Sequence, residues 1–198
     1  LVDDAVEAAT VNVSGAGDLD IGAAPLASTT TFDAADATGD INALFGTADQ
    51  TITGGSGDDT FAFEDGDLDG SDTVNGGAGS DTLVLNDTSG AMLSGVDGVS
   101  NIETLRLGAT LASSATTLDK SKVPGADVEL ANTNGQAVTI ENLANNATVT
   151  YKSDAASSAQ TLSLASNTSE DGLTISLENV TIADLDSGTA FVETLTLN

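Results

Sequence analysis

Several chemically important residue types are missing from this chain of 198 residues, which contains no His, no Cys and no Trp. Without a His as general base, a Cys nucleophile or a G-x-S-x-G motif, the sequence offers little for catalysis, and we predict that the chain is not an enzyme. The absence of Cys excludes disulfide bonds and fits an exported protein that uses metal ions as cross-links. Aromatic residues make up only 3%, so we expect a thin core of small aliphatic side chains.

Basic residues are also scarce: only four oppose 31 acidic residues, and the net charge is −27. Residues 1–105 contain 20 acids and no base. Nucleic acids and anionic membrane surfaces attract positive charge, so neither is an expected partner. No apolar run approaches the roughly 20 residues that span a bilayer, and we predict no membrane insertion. The chain begins at Leu1 rather than Met, and we expect it to be part of a longer protein.

The densest cluster of acids lies between Gly54 and Asp81, in the segment GGSGDDTFAFEDGDLDGSDTVNGGAGSD. It holds eight acids and no base. Crowded carboxylates repel one another, and packing them into turns is unfavourable unless a positive charge lies between them. Interleaved glycines let backbone carbonyl oxygens turn toward a common centre, and oxygen ligands of both kinds are what calcium selects. We therefore predict calcium as the cofactor.

The same region repeats with a period of nine residues. The four blocks are Phe45–Thr53, Gly54–Ala62, Asp67–Asn75 and Gly76–Val84. The seventh residue of each block is Thr and the eighth is apolar, and a four-residue insert from Phe63 to Gly66 separates the second block from the third. Because one such unit cannot bury its apolar residue alone, the repeats predict a stacked β-solenoid.

These blocks resemble the nonapeptide repeat GGxGxDxUx of RTX proteins, the hemolysin-type calcium-binding repeat of proteins exported by Gram-negative bacteria. The match is close in GGSGDDTFA and GGAGSDTLV, and looser in FGTADQTIT and DLDGSDTVN. The resemblance implies a parallel β-roll in which each turn stacks on the turn two blocks later. It also implies that calcium lies between stacked turns, held by carbonyl and carboxylate oxygens.

Two pairs of turns correspond to the family pattern by position. In the first pair, turn 54–59 with turn 76–81, the implied ligands are Gly55, Gly57, Asp59, Gly76, Ala78 and Asp81. In the second pair, turn 45–50 with turn 67–72, they are Gly46, Ala48, Gln50, Asp67, Asp69 and Asp72. Gln50 departs from the pattern, which has Asp at that position. The insert lengthens both spacings from 18 to 22 residues, so one coil is expected to bulge.

The insert allows a second arrangement of calcium ligands. Asp65 to Gly70 spells D-x-D-x-D-G, the opening of an EF-hand loop. The twelfth position is Gly76 rather than Glu, and no helical pattern flanks the segment, so a complete EF-hand is not expected. A local loop that closes a calcium site with Asp65, Asp67 and Asp69 stays open as an alternative.

Short alternating segments on both sides of the repeats complete an all-β interpretation. Residues 1–44 contain strand-like stretches separated by glycine turns, and residues 45–87 contain the repeats. In residues 88–198, alternating segments recur between loops rich in Asn, Ser, Gly and Ala, which indicates further solenoid coils or a β-sandwich. The scarcity of aromatic residues favours the solenoid. We therefore predict a parallel β-solenoid, divided into these three segments and stabilised by calcium.

The repeats occur together with two further segments, TFDAADATG from Thr31 before them and NIETLRLGA from Asn101 after them. This combination resembles crystalline surface-layer proteins and large RTX adhesins. The resemblance implies a calcium-binding structural module of a secreted surface-layer protein, exported by type I secretion, that folds and assembles on calcium binding. Expected partners are calcium ions and further copies or neighbouring domains, with a cell-surface polysaccharide as another candidate. The alternative is an adhesin, or an accessory RTX module of a polysaccharide-modifying enzyme.

Two further residues are candidates for contact with a sugar. Arg106, the only Arg, lies in a predicted strand, where an ion pair with Glu103 or another acid is the simpler interpretation. Tyr151, the only Tyr, is expected to cover an edge of the fold unless it stacks on a sugar ring.

Overall fold

The computed structural model describes residues 8–64, 66–86, 91–93, 96–108, 116–131, 138–152, 161–164, 172–177 and 194–197. The regular structure in these ranges is β-strand, apart from a 3-10 helix at Lys120–Lys122. No helix there is long and apolar enough to cross a membrane. The strands are β1 (Thr10–Gly15), β2 (Leu19–Leu26), β3 (Thr31–Ala37), β4 (Ile41–Phe45), β5 (Thr51–Thr53), β6 (Thr60–Glu64), β7 (Thr73–Asn75), β8 (Thr82–Asn86), β9 (Ala91–Met92), β10 (Gly98–Ser100), β11 (Thr104–Leu107), β12 (Thr116–Asp119), β13 (Asp127–Leu130), β14 (Val138–Leu143), β15 (Ala147–Tyr151), β16 (Thr161–Leu164), β17 (Gly172–Leu177) and β18 (Thr194–Leu197).

The chain divides into two compact units. Unit 1 comprises Leu1–Leu85 and Ser94–Thr104, and unit 2 comprises Asn86–Leu93 and Leu105–Asn198. Each unit is a parallel β-solenoid, which confirms the predicted all-β solenoid. The predicted division into three segments, with boundaries after residues 44 and 87, stays a prediction.

In unit 1, successive strands alternate between two sheets. β1, β3, β5, β7 and β10 form one sheet in that order, and β2, β4, β6 and β8 follow one another in the other. Thr31 pairs in parallel with Thr51, and Thr51 pairs with Thr73. Threonines at the seventh position of the repeat therefore lie in register on neighbouring strands, while the apolar eighth residues point inward, as the period of two in a strand requires.

The insert found in the sequence is partly strand. Phe63 and Glu64 extend β6, where Phe63 pairs with Phe45 of β4 and is buried. The additional length lies in the connection from β6 to β7, which is longer than the connection from β4 to β5. The coil expected to bulge is therefore the one that contains this connection.

Phenylalanines form the centre of the unit 1 core. The ring of Phe45 lies 5.4 Å from that of Phe32, 6.0 Å from Phe61 and 5.5 Å from Phe63, measured between ring centroids. All four side chains are buried. The expectation of a core made only of small aliphatic residues is thus wrong for unit 1, because the low average content of aromatic residues does not show that four Phe residues are concentrated in three strands, β3, β4 and β6.

Unit 2 is built in the same way, from parallel strands. β9, β12, β14 and β16 follow one another in one sheet, and β11, β13, β15, β17 and β18 in another. Val128 pairs with Val149, which pairs with Ile175. Parallel pairing through these strands confirms the solenoid rather than the sandwich. A strand predicted at residues 180–183 lies outside the described residues.

Candidate metal centre

The turn at 54–59, between β5 and β6, stacks directly on the turn at 76–81, between β7 and β8. Ala78 N donates a hydrogen bond to Gly55 O (3.0 Å), and Thr82 N donates to Asp59 O (2.8 Å). The structure thus brings together the first predicted pair of turns, at the predicted spacing of 22 residues. Metal binding by this pair stays a prediction.

Glycine is required where these two turns approach each other. A Cβ at Gly77 would lie 2.2 Å from Gly55 O, and one at Gly79 would lie 2.2 Å from Gly57 O. Both residues also have positive φ angles, +103° and +133°, which side chains disfavour. The carbonyl oxygens of Gly55 and Gly57, two predicted ligands, therefore face a backbone that carries no side chain to cover them.

Acidic side chains form a column along the same edge. Ile41 N donates to Asp59 Oδ1 (2.9 Å), and Asp59 N donates to Asp81 Oδ1 (2.9 Å). Asp81 N then donates to Glu103 Oε2 (2.7 Å). Each carboxylate accepts the N–H of the residue one coil earlier, so the acids hold neighbouring coils in register. We call these three residues the acid column.

Sequence reasoning missed Glu103 as a member of the acid column. It lies in the segment NIETL, after the glycine–aspartate repeats have ended. The available signal was its spacing, because Glu103 follows Asp81 by the same 22 residues that separate Asp81 from Asp59.

Two acids of the column are buried without a cationic side chain to pair with. Asp59 is 0% and Asp81 1% exposed, and residues 1–105 contain no Lys or Arg. Burial raises the pKa of Asp81 to about 6, although the hydrogen bond from Asp59 N lowers it. Burial also raises the pKa of Asp59, against hydrogen bonds from Gly55 N and Ile41 N. Buried carboxylates of this kind are normally paired or bound to metal.

One carboxylate oxygen of the column has no hydrogen-bond partner. In the earlier coil, Gly55 N donates to Asp59 Oδ2 (2.8 Å). In the next coil, Gly77 N donates to Asn75 Oδ1 (3.2 Å), and Asp81 Oδ2 is left buried and unsatisfied. An unsatisfied buried carboxylate oxygen costs the full desolvation of that atom, and a bound cation or a hydrogen-bond donor beside it would remove that cost.

The second predicted pair of turns also stacks, at the opposite edge of unit 1. Gln50 N donates to Asp72 Oδ1 (2.8 Å), and Thr73 N donates to Gln50 O (2.8 Å). Asp72 is 3% exposed, and burial raises its pKa. Gln50 Nε2 donates to Leu26 O (2.9 Å), while Gln50 Oε1 is buried without a partner.

The remaining predicted ligands at this edge differ in their surroundings, and metal binding by them stays a prediction. Gly46 lies against the backbone of Ala27, since a Cβ at Gly46 would be 2.8 Å from Ala27 Cα, and Ala48 is half-buried. Asp69 is exposed, and its Oδ1 accepts from Ser71 N (2.7 Å). Asp67 is half-buried, and its N–H donates to Glu64 O (3.1 Å).

The EF-hand alternative does not fit the secondary structure. Strands β6 and β7 flank the D-x-D-x-D-G segment, where an EF-hand has helices. A complete EF-hand is therefore excluded. Asp65, the first acid of the segment, lies outside the described residues, so the smaller loop site through Asp65, Asp67 and Asp69 stays a prediction.

The first pair of turns offers the oxygen ligands that calcium prefers. A Cβ at Gly54 would lie 2.0 Å from Gly76 O and 2.7 Å from Asp59 Oδ2, so both oxygens lie close to Gly54 and to each other. Within the described ranges, no three Asp or Glu side chains converge as metal ligands. The donor set is thus carbonyl oxygens with one or two carboxylates, which fits calcium and not a softer metal.

The two residues considered for contact with a sugar, Arg106 and Tyr151, both lie in unit 2. Arg106 Nε donates to Glu129 Oε1, and Lys152 Nζ lies 2.8 Å from Glu129 Oε2. The predicted ion pair of Arg106 is therefore confirmed, with Glu129 as the acid. Tyr151 is 5% exposed, so its ring is not accessible to a sugar, and its expected position over an edge of the fold stays a prediction.

Comparison with known proteins adds no relative to this description. The chain matches no protein-family model, no curated protein and no solved structure.

Proposed function

We propose that this chain is a calcium-binding structural module of a secreted cell-surface protein, of the surface-layer kind, which folds and assembles when calcium binds. The observation that carries the proposal is the pair of buried carboxylates, Asp59 and Asp81, on stacked glycine turns in a stretch without any Lys or Arg. Burying such charges is unfavourable unless a bound cation compensates them.

In the proposed site, residues of both turns of the first pair would bind the ion. The carboxylate of Asp59 and the carbonyl oxygen of Gly76, which lie close together beside Gly54, would supply negative charge and lone pairs. Gly55 O already accepts a hydrogen bond from Ala78 N, but a carbonyl oxygen keeps a second lone pair for a ligand. Bound calcium supplies the positive charge that the sequence lacks between these turns.

Linkage explains how such a site would act as a folding switch. An ion that binds only the folded state stabilises it by RT ln(1 + [L]/Kd), about 2.7 kcal/mol per site at a hundredfold excess over Kd. With 20 acids and no base in residues 1–105, the calcium-free unit should expand through self-repulsion. Abundant calcium outside the cell would then favour the folded form after export.

The use of the acids in coil stacking favours a structural role. Asp59, Asp81 and Glu103 all accept backbone N–H groups of neighbouring coils. Carboxylates held in this way are not arranged as an acid and a base across a substrate cleft.

Thermal unfolding with calcium and then with chelator tests the proposal. For a chain of this length, one site at a hundredfold excess of calcium should raise Tm by roughly 5–10 °C. Asp59→Asn should lose most of this increase, whereas Asp36→Asn, which removes the same charge from an exposed position of β3, should retain it. Identical melting curves and strand signals with calcium and with chelator would contradict calcium binding.

Light scattering distinguishes the surface-layer function from its alternative. A surface-layer module should form multimers when calcium is added, and chelator should reverse their formation. A chain that remains monomeric with calcium and binds polysaccharide would instead support the adhesin or enzyme-accessory function.

A further inference from the structure

The acid column continues beyond the repeats to a third turn, at residues 101–103. Gly76 N donates to Ser100 O (3.0 Å), and both Glu103 N and Thr104 N donate to Asp81 O (3.0 Å each). With the bond from Asp81 N to Glu103 Oε2, four hydrogen bonds attach this turn to turn 76–81. The third turn therefore stacks on turn 76–81 as that turn stacks on turn 54–59.

The unsatisfied oxygen of Asp81 is directed toward this third turn. A Cβ at Gly76 would lie 2.5 Å from Asp81 Oδ2 and 1.8 Å from Asn101 O. Both acceptor oxygens therefore lie close to Gly76, and the donor that satisfies Asp59 one coil earlier is missing, because Gly77 N is bonded to Asn75. The side chain of Asp81 is 1% exposed, so this oxygen is largely removed from solvent.

The carboxylate of Glu103 lies next to Asp81 on the following coil. Its Oε2 accepts from Asp81 N, so the two carboxylates lie on adjoining coils of the acid column. Glu103 itself is exposed, which leaves the position open to an ion from solution. Two carboxylates and a carbonyl oxygen are hard ligands whose charge a divalent cation would balance.

We propose that Asp81 Oδ2, Asn101 O and the carboxylate of Glu103 form a further calcium site, between turn 76–81 and turn 101–103. The choice of calcium rests on the proposed function, but the site itself uses residues that lie after the end of the glycine–aspartate repeats. Glu103, the acidic residue of the NIETL segment, is thus a metal ligand in the last turn of the calcium-binding edge.

Isothermal titration calorimetry of the whole chain with calcium tests this site. Glu103→Gln removes one negative charge but keeps an oxygen that accepts from Asp81 N, so the third turn should remain stacked. We expect this variant to bind one ion fewer per chain, or to bind it at least about tenfold more weakly. Glu141→Gln, the same change at an exposed position of β14 in unit 2, should bind calcium like the parent.

A second variant gives an independent measurement. In Asp81→Asn, the new side-chain amide can donate a hydrogen bond to Asn101 O. The calcium-free variant should therefore have a higher Tm than the calcium-free parent. The increase in Tm on adding calcium should be smaller than in the parent. A calcium-free Tm equal to or below that of the parent, with an unchanged calcium increment, would overturn the assignment of Asp81 Oδ2.

Failure of this inference can be distinguished from failure of the proposed function. If Asp59→Asn loses an ion but Glu103→Gln binds calcium like the parent, the module binds calcium and the site at the third turn is refuted. If the parent chain binds no calcium, both the function and this site are refuted.

Discussion

Gly76→Ala adds one methyl group at the point where turn 76–81 contacts turn 101–103. The new Cβ would lie 1.8 Å from Asn101 O, more than 1 Å inside the 3.0 Å limit below which real Cβ contacts essentially never occur. The obstacle is a backbone carbonyl, which has no rotamer to change. The two turns must therefore move apart.

The cost follows from the hydrogen bonds that join these turns. Four of them connect Gly76 and Asp81 to residues 100–104, and each contributes about 1 kcal/mol net. We expect Gly76→Ala to lower the free energy of unfolding by about 4 kcal/mol if all four are lost. It should also weaken calcium binding, because Asn101 O and Asp81 Oδ2 are displaced together.

Urea unfolding at saturating calcium, followed by far-UV circular dichroism, measures this loss as a lower midpoint. Gly17→Ala is the matched control, because a Cβ at the exposed Gly17 would meet no atom within 4 Å and its φ is not positive. That change should alter stability by less than about 1 kcal/mol in either direction. Equal midpoints for the two variants would show that the turns are not in close contact.

Two further predictions concern pH and charge. Burial raises the pKa values of Asp59, Asp72 and Asp81, the last to about 6, so the folded calcium-free protein binds protons more tightly. Its Tm should therefore rise as pH falls from 7 toward 4. Saturating calcium should reduce this rise. A Tm measured by calorimetry in chelator that does not change with pH would contradict the prediction. Glu129→Gln should lower the free energy of unfolding in urea by roughly 1–3 kcal/mol, with or without calcium, because it breaks the partly buried ion pairs with Arg106 and Lys152. A loss no larger than that caused by Glu141→Gln would refute this prediction.

The stacking of the turns could be predicted from sequence because it depends on a periodic signal. Glycines and aspartates recur in one phase, and that phase, read with the turn stacking that the RTX resemblance implies, predicts Asp59 beside Asp81 and Gln50 beside Asp72. The solenoid in unit 2 was predictable for a similar reason, since alternating segments such as those of β13 and β15 form strands wherever one face is buried.

Other features depend on contacts that no periodic signal reveals. Phe63 was assigned to an insert because the glycine register breaks there, although the alternation in TFAFE already indicates a strand with Phe61 and Phe63 on one face. Glu103 lacks neighbouring glycines and is recognisable only by its spacing. The unsatisfied oxygen of Asp81 depends on whether Gly77 N bonds to Asn75 or to Asp81, a choice between local partners that requires coordinates.

The buried acids of the two units differ in the charged side chains that lie next to them. Stacking coils in register places like residues above one another, so an acid that recurs at one position repels its copies. In unit 2, Glu129 lies between Arg106 and Lys152, and although burial raises its pKa, hydrogen bonds from these cations lower it below the ordinary value. In unit 1, the acid column has no such side chains, because the first base of the sequence is Arg106. Among the described residues, we therefore predict that dependence on calcium lies in unit 1, where a bound cation would take the place that Arg106 and Lys152 have in unit 2.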